Sequence, residues 1–335
     1  MSDVLCTNDV AAGIVPELPD NVSMLMKCRY PNLVISNGAI SARLFLPDAQ
    51  HGYYRGVRFD WAGILRDLTY RGHRLFSPWK PDQDLLHDPL CHDDITGPAN
   101  EFSMHDPPGY DTANPGELFL KIGVGLLERP NVKPYRFFKE YRLVDSGKWT
   151  VQSGADRVAF HHEVLPSEAG RNYGYRYTKS LRLAEDAQMI IDHRLENIGA
   201  HPIDTDMYYH NFINVDGLPI GPEHRISASF PISFGEWSGP SLKIGTAGFH
   251  LARAPLPNES SMGELHGYSQ DPDHHVLSFN HAPSNIGMTI TGTLPLHCLR
   301  LFATSGAICP EPFVKIGALP GSVLSWSTTY TLFEM

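Results

Sequence analysis

The strongest constraint on the fold is an alternation of apolar and polar side chains that repeats every second residue. In segment 175–183, tyrosine and leucine dominate one parity, and arginine, threonine and serine fill the other. The alternation resumes in segment 189–195, after the turn-forming residues 184–187, and it returns in segments 204–210 and 324–332. A period of two is that of a β-strand with one buried face. The sequence therefore predicts antiparallel strands joined by short turns.

The chain contains 29 Gly and 27 Pro, which supports the prediction of many turns. Few of its segments have apolar residues at helical spacing. Many short strands between Gly/Pro turns indicate an antiparallel sandwich or barrel. Alternation also predicts strands at 137–143 and 149–151. Segments 78–115 and 254–285 are predicted to be long functional loops. We predict one domain over residues 1–335, with about the first 25 residues as an N-terminal arm.

The charge balance narrows the class of ligand. A net charge of −10 disfavours nucleic acid and anionic membranes, because binding to phosphates needs a basic surface. No apolar stretch is long enough to cross a membrane, and the N-terminus lacks the basic region and apolar run of a signal peptide. We expect a cytoplasmic protein with reduced thiols, because its cysteines form no C-x-x-C pair. These are Cys6, Cys28, Cys91, Cys298 and Cys309.

Two short segments supply side chains suited to acid–base chemistry. His210 ends a predicted strand among aromatic and amide residues, and an imidazole titrates near neutral pH. A core histidine bonded to a backbone carbonyl would fit the same pattern. Glu311 lies between two prolines, which fix the backbone on both sides, although a solvated loop glutamate would fit as well. If the two side chains face each other across a cleft, they form a general acid and a general base.

Charged residues in apolar segments are further candidates for a binding site. In segment 53–63, Arg58 and Asp60 share one parity and aromatic residues occupy the other. The segment either lines a sugar site or is an ordinary strand with an internal ion pair. Lys121 is a lone cation in an apolar, glycine-containing strand and needs an anionic or hydroxylic partner. The sequence contains no phosphate loop, dinucleotide-binding fingerprint or nucleophile elbow.

Histidine and aspartate recur between residues 87 and 106, a composition that can bind a divalent metal. Their spacing matches no closed ligand pattern, and we therefore predict a polar active-site loop without a metal. The residues are His87, Asp88, His92, Asp93, Asp94, His105 and Asp106.

Three segments carry a resemblance to a known family of proteins. Residues 210–214 read His-Asn-Phe-Ile-Asn, residues 307–313 read Ala-Ile-Cys-Pro-Glu-Pro-Phe, and a Leu-Pro-Gly turn follows at 319–321. The first resembles the H-x-[YF]-F-N element of the aldose 1-epimerases, the galactose mutarotase-like family, with Ile213 replacing the usual aromatic residue. The second and its turn resemble that family's C-terminal element, and segment 58–79 resembles its early strands.

The resemblance implies an all-β fold, a large antiparallel β-supersandwich with a sugar site on its concave face. It also implies that Glu311 removes the proton from the anomeric hydroxyl of a pyranose while His210 protonates the ring oxygen. The ring opens, the C1–C2 bond rotates, and closure gives the other anomer, without a cofactor. The expected partner is a small-molecule carbohydrate, bound by a monomer or a homodimer. The substrate-binding residues predicted with this site are Arg58, Arg74, Glu101, Lys121, Tyr208 and Asn214.

Lys121 departs from the family pattern, because it stands where an H-G-x-x-[RW] element supplies a second histidine. A lysine suits an acidic sugar, such as a uronic acid or a sugar phosphate. The same fold also carries polysaccharide lyases and non-catalytic carbohydrate-binding domains. A lyase acting on uronate-containing glycans would draw on Tyr208 and Tyr209. The lyase would also need the cations Lys121 and Arg58. A binding protein, the other alternative, would have the same fold but would catalyse no reaction.

Overall fold

The computed structural model describes residues 29–80, 86–132, 134–245 and 248–335, which form antiparallel strands linked by turns and loops. The predicted N-terminal arm, Cys6 and Cys28 lie outside the described residues. The strands, in chain order, are β1 (Asn32–Ser36), β2 (Ile40–Phe45), β3 (Ile64–Tyr70), β4 (His73–Leu75), β5 (Ala99–Phe102), β6 (Leu118–Lys121), β7 (Gly125–Glu128), β8 (Leu143–Asp145), β9 (Lys148–Ser153), β10 (Arg157–Val164), β11 (Tyr175–Ala184), β12 (Gln188–Asn197), β13 (Ile203–His210), β14 (His224–Ala228), β15 (Ser233–Ser238), β16 (Leu242–Gly245), β17 (Gly248–Leu251), β18 (Ser261–His266), β19 (Val276–His281), β20 (Ile286–Gly292), β21 (Cys298–Ala303), β22 (Ile308–Ala318) and β23 (Val323–Glu334). Two short 3-10 helices, Pro272–His274 and Ala282–Ser284, flank β19.

Hydrogen bonding groups the strands of the described residues into four sheets. The largest has ten strands in the order β16-β17-β14-β19-β20-β23-β12-β11-β10-β9, and a second has six in the order β15-β18-β21-β22-β13-β5. The smaller sheets are β1-β2-β3-β4 and β6-β7-β8. Every ladder between these strands is antiparallel. The prediction of an all-β antiparallel fold is therefore confirmed.

The β11–β12 hairpin forms as the alternation predicts. Leu181 pairs with Ile191 and both are buried, whereas Arg182 on the opposite face of β11 is exposed. Strand β23 pairs with the other edge of β12, and its own alternation buries Trp326 and Tyr330. The apolar stripe of these strands covers one face of the ten-stranded sheet and forms the large core of the protein.

The six-stranded sheet separates this large core from a second, aromatic-rich cluster. On β13, Tyr209 packs in the large core, whereas Tyr208 packs in the aromatic cluster on the opposite face of the sheet. On β22, Phe313 also belongs to the aromatic cluster. Because side chains alternate along a strand, the residues that share the parity of Tyr208 or Phe313 face the same side. This places His210 and Glu311 together on the face turned away from the large core.

Two segments differ from the sequence prediction. Segment 254–285 contains β18 and β19 instead of one long loop. Its alternation escapes detection because the small residues Ser261 and Gly263 of β18 are buried while Met262 is exposed. Conversely, residues 137–142 form a turn and irregular chain, and a strand starts only at Leu143. The two phenylalanines at the start of that segment both line one cleft, so they do not alternate between two faces of a strand.

Two other segments hold the charged residues noted above. Segment 53–63 is irregular rather than a strand, and Arg58 and Asp60 pair with different partners instead of with each other. Segment 78–115 is irregular as predicted, apart from strand β5. Its residues 81–85 lie outside the described part of the chain.

Among the described residues, no helix combines the length and the apolar character that crossing a membrane requires. The assignment of residues 1–335 to one domain stays a prediction.

Candidate functional site

The side chains of His210 and Glu311 meet at one point of the six-stranded sheet. His210 is the last residue of β13, and Glu311 lies on the neighbouring strand β22. The distance from His210 Nε2 to Glu311 Oε1 is 3.1 Å, and each side chain is 7% exposed. The structure thus brings together the two residues that the sequence singled out for acid–base chemistry.

Burial sets the protonation of this pair. Desolvation raises the pKa of Glu311 to about 8, and the nearby Arg58 and Arg300 guanidinium groups oppose that rise. Desolvation and the charge of Arg58 hold the pKa of His210 well below its ordinary value. Burial therefore favours a carboxylic acid beside a neutral imidazole in the resting pair. The Glu311 carboxyl can then donate its proton to Nε2 of His210, whose Nδ1 has no hydrogen-bond partner among the described residues.

Asn211 fixes the position of the pair from behind the sheet. Its Nδ2 donates to the carbonyl of Pro310 at 2.6 Å, and its Oδ1 accepts a hydrogen bond from the Tyr330 hydroxyl at 2.7 Å. Asn211 follows His210 and Pro310 precedes Glu311, so one fully buried amide ties the two backbone segments together. Sequence reasoning missed this role, because it depends on which strands are neighbours.

Phe212 holds the imidazole from the other side. Its backbone adopts a φ of 42°, which is uncommon for a residue with a bulky side chain. In this conformation the phenyl ring stacks on the His210 ring with a centroid distance of 3.8 Å and an interplanar angle of 9°. A strained backbone next to a candidate catalytic residue is consistent with a positioning role.

Arg58 is held rigidly in the same cleft. Its Nε donates to Glu101 Oε2 at 2.7 Å, and its Nη2 donates to the Tyr208 hydroxyl at 2.9 Å. The Tyr208 hydroxyl in turn donates to the same Glu101 oxygen at 2.7 Å. The guanidinium carbon lies 4.6 Å and 4.4 Å from the ring centroids of Phe59 and Phe137, so it is sandwiched between two rings. The predicted substrate-binding residues Arg58, Glu101 and Tyr208 thus form one network.

Lys121 lies one layer behind that network and does not line the cleft. Its Nζ is 3.7 Å from Glu101 Oε1 and donates to the carbonyl of Ser103 and the hydroxyl of Tyr135. The side chain is fully buried, and desolvation lowers its pKa to about 8 against the pull of Glu101. Lys121 therefore has the anionic and hydroxylic partners that the sequence predicts, but these partners are residues of the protein and not a bound sugar.

Two further predicted binding residues lie away from the cleft. Arg74, on β4, has a side chain that is 40% exposed, and its Nη1 is 4.0 Å from Asp67 in a groove on the four-stranded sheet. Asn214 stabilises the turn after β13, because its Nδ2 donates to two backbone carbonyls and its Oδ1 accepts from the Gly217 amide. The side chains of Arg74 and Asn214 contact other parts of the fold and do not line the cleft.

The cleft itself is lined mainly by aromatic rings, which gather around the His210–Glu311 pair. The space within it that solvent can enter is small, about 80 Å³. Arg300 and His92 also face it, and sequence reasoning had not assigned either to substrate. The alternation in segment 298–303 indicates a strand, but the register that places Arg300 opposite Glu311 comes only from the structure. The aromatic lining residues are Phe59, Trp79, Phe137, Phe138, Tyr208, Phe212 and Phe302.

One group of side chains in the described residues has metal-ligating character. Atoms of Cys91, His92 and Asp93 lie within 4.8 Å of one another. However, Asp93 Oδ1 accepts a hydrogen bond from Lys80 Nζ at 2.6 Å and another from Cys91 Sγ at 3.1 Å. The ammonium group already supplies the positive charge that a cation would bring. His87 is structural, since its Nε2 lies 2.6 Å from the Tyr53 carbonyl and its ring stacks on Tyr53.

Comparison with solved structures identifies this architecture. A galactose mutarotase-like protein from Clostridium acetobutylicum superposes with a TM-score of 0.54 and 14% identity, covering 91% of this chain and 95% of that one. The chain has the galactose mutarotase-like fold. An aldose epimerase homologue from C. elegans shares it, with a TM-score of 0.52, 13% identity and coverage of 91% and 99%.

A galactose mutarotase related enzyme from Lactobacillus acidophilus also shares the galactose mutarotase-like fold, with a TM-score of 0.51, 10% identity and coverage of 90% and 97%. No protein-family model and no curated protein sequence matches the chain. The fold that the sequence resemblance implied is confirmed, and the low identities mark the chain as divergent from these structures.

Proposed function

We propose that the protein interconverts the α and β anomers of an aldose or an acidic sugar by acid–base ring opening. The observation that carries this proposal is the 3.1 Å contact between His210 and Glu311 at the base of an aromatic cleft. The contact joins a proton donor and a proton acceptor, and flat aromatic rings suit the C–H faces of a pyranose. The galactose mutarotase-like fold supports the same reading without deciding it.

The proposed reaction begins when the proton of the pair moves from Glu311 to His210 across their contact, which leaves Glu311 as a carboxylate. A pyranose then enters between the two side chains and separates them. Glu311 then takes the proton from the anomeric hydroxyl, and His210 donates its proton to the ring oxygen as the C1–O bond breaks. The open-chain sugar thus faces a carboxylic acid and a neutral imidazole, the state in which the free pair rests. Rotation about C1–C2 and the reverse proton transfers close the ring as the other anomer.

This proposal predicts that Glu311→Gln abolishes most of the catalysis. Glutamine keeps the shape of the protonated carboxyl but cannot accept the hydroxyl proton, so we expect a loss of about 10²- to 10⁴-fold in rate. Anomer exchange is measured by NMR magnetisation transfer across a panel of neutral, uronic and phosphorylated sugars. Glu163→Gln, a partly exposed surface glutamate paired with Arg176, is the matched control and should leave the rate unchanged. Retention of wild-type acceleration by Glu311→Gln, or no acceleration of any sugar by the wild type, refutes the proposal.

The alternatives on the same fold predict different outcomes. A lyase would need a tyrosine that ionises readily, yet burial holds the pKa of Tyr208 well above its ordinary range. Tyr209 points into the large core, where its hydroxyl lies 2.5 Å from His193 Nε2. Ultraviolet absorbance from unsaturated products would nevertheless reveal a lyase. Calorimetric binding of a sugar without anomer exchange would identify a binding protein.

A further inference from the structure

Two guanidinium groups face the cleft beside the His210–Glu311 pair. Arg300 on β21 is the direct cross-strand partner of Glu311 on β22, so the two side chains leave the sheet on the same face. Arg58 reaches the cleft from the irregular segment before β3. Both arginines act on the Glu311 carboxyl electrostatically. Any sugar that reaches the pair therefore lies next to both of them.

The protein does not use all the hydrogen-bond donors of these arginines. Arg58 donates hydrogen bonds from Nε to Glu101 and from Nη2 to Tyr208, but its Nη1 makes no hydrogen bond within the described residues. Arg300 is held more loosely than Arg58, although its guanidinium carbon lies 5.0 Å from the Phe313 ring centroid and the side chain also hydrogen-bonds Cys298. Its Nε and Nη2 are each 3.5 Å from Glu264 Oε1, and its Nη1 is 3.5 Å from the sulfur of Met104. The Glu264 side chain is 49% exposed, so water screens this pairing.

The carboxylates that face the cleft do not balance these cations. Asp93 is neutralised by Lys80 at 2.6 Å. Burial raises the pKa of Glu311 to about 8, which reduces its negative charge near neutral pH. Glu101 sits behind the cleft and is shared between Arg58 and Lys121. Guanidinium charge therefore faces the cleft without an opposing free carboxylate in the lining described here.

We propose that the substrate is a sugar bearing a permanent anionic group, a carboxylate or a phosphate ester, and that Arg300 and Arg58 bind that group. The planar fork of a guanidinium matches both anions and can bind them through two parallel hydrogen bonds. Arg58 is already immobilised by its two rings and two polar partners, so little side-chain entropy is lost when it binds. This inference rests on the proposed function, whose substrate class it narrows.

Arg300 has a competing role that the test must separate. A guanidinium beside Glu311 stabilises the carboxylate form, whatever the substrate carries. If this were its only role, Arg300→Gln would slow neutral and anionic sugars alike and would move the basic limb of the pH profile to higher pH. If Arg300 also binds the substrate anion, anionic sugars lose more than neutral sugars, and the additional loss falls mainly on KM.

The experiment compares glucose, glucuronate and glucose 6-phosphate by NMR anomer exchange at one neutral pH. We expect the wild type to favour an anionic sugar, and Arg300→Gln to lower its kcat/KM by about 10- to 100-fold, as for a lost hydrogen bond to a charged group. The rate with glucose should fall less than the rate with the anionic sugar, because glucose loses only the electrostatic effect of Arg300 on Glu311. The two anionic sugars show whether the site fits a carboxylate on the ring or a phosphate beyond it. The control is Arg182→Gln, which removes a half-exposed guanidinium on the ten-stranded sheet.

Calorimetry supplies a readout that does not depend on turnover. Weaker binding of both anionic sugars to Arg300→Gln than to the wild type supports the anion site, even for a protein without anomer exchange. Equal wild-type rates for glucose and the anionic sugars, with equal losses in Arg300→Gln, overturn the inference and leave the proposed function standing. Absence of exchange together with unchanged anion binding overturns both. Circular dichroism confirms that each variant is folded.

Discussion

At the scale of single residues, the His210–Glu311 contact couples two titrations into one. Burial disfavours charge on both groups, so it favours a resting pair of a carboxylic acid and a neutral imidazole. The form that starts the proposed reaction has the proton on His210 instead. Both forms hold the same number of protons, so pH does not change their ratio. Arg58 and Arg300, which favour the carboxylate, make the reactive form easier to reach.

This coupling predicts the pH dependence of catalysis. We expect kcat/KM for anomer exchange to be constant near neutral pH and to fall above about pH 8, where the pair loses its shared proton. The raised pKa of Glu311 sets the pH at which the rate falls, because the deprotonated pair has no proton left to donate to the ring oxygen. NMR exchange rates over a pH series, corrected for the spontaneous reaction, measure it. A rate that keeps rising through pH 8 would show that the carboxylate alone is the active form.

At the scale of strands, the geometry of the site depends on the junction of β13 with β22. The sheet ladder between them runs from Ile203 to Tyr208, so it stops before His210. Beyond that point the strands are joined by the Asn211 amide and by the reciprocal backbone hydrogen bonds between Ile213 and Ile308. The hydroxyl of Tyr330 on β23 orients the amide from the ten-stranded sheet. The distance between the acid and the base is thus set by contacts at the end of the β13–β22 pair and by one hydroxyl from the ten-stranded sheet.

Removal of that hydroxyl tests this account. In Tyr330→Phe, the Asn211 Oδ1 loses its donor in a buried site, and we expect a loss of about 1–3 kcal/mol in the free energy of unfolding. We also expect kcat for anomer exchange to fall about tenfold with little change in KM, because a displaced pair affects the chemical step more than sugar binding. Chemical denaturation and NMR exchange give the two numbers. Tyr268→Phe, which removes an exposed hydroxyl, is the control; an unchanged kcat in Tyr330→Phe would exclude a positioning role.

The same scale shows what the sequence could predict. Hairpin β11–β12 and strand β23 were predictable because large apolar residues occupy most of their buried positions. Strand β18 was not, because small residues fill its core face. His210 and Glu311 stood out through their local motifs. Arg300 and Asn211 could not be assigned, since their roles follow from strand register and sheet neighbours, which local patterns do not encode.

At the scale of the whole molecule, segment 58–63 joins the cleft to the large core. Arg58 faces the cleft, whereas Asp60, two residues later, is fully buried on the side of the ten-stranded sheet. Lys179 on β11 reaches this segment, with its Nζ donating to the Ala62 carbonyl at 2.7 Å and lying 3.4 Å from Asp60 Oδ2. Asp60 also accepts hydrogen bonds from the Ala62 amide and the Tyr177 hydroxyl. One buried ion pair therefore anchors the segment that carries the cleft's rigid arginine.

The buried ion pair between Asp60 and Lys179 predicts that one substitution in the core strongly lowers the stability of the protein. Burial raises the pKa of Asp60 and lowers that of Lys179, so each charge depends on the other for compensation. Lys179→Met leaves the Asp60 carboxyl buried without its cation, and we expect the free energy of unfolding to fall by about 3–5 kcal/mol. Urea denaturation followed by tryptophan fluorescence measures the change. Adding Asp60→Asn should recover part of the loss, because an amide needs no counter-charge. Lys243→Met, at an exposed position on β16, should change stability little. Equal losses in Lys179→Met and in the double variant would mean that packing of the lysine stem, and not its charge, anchors the segment.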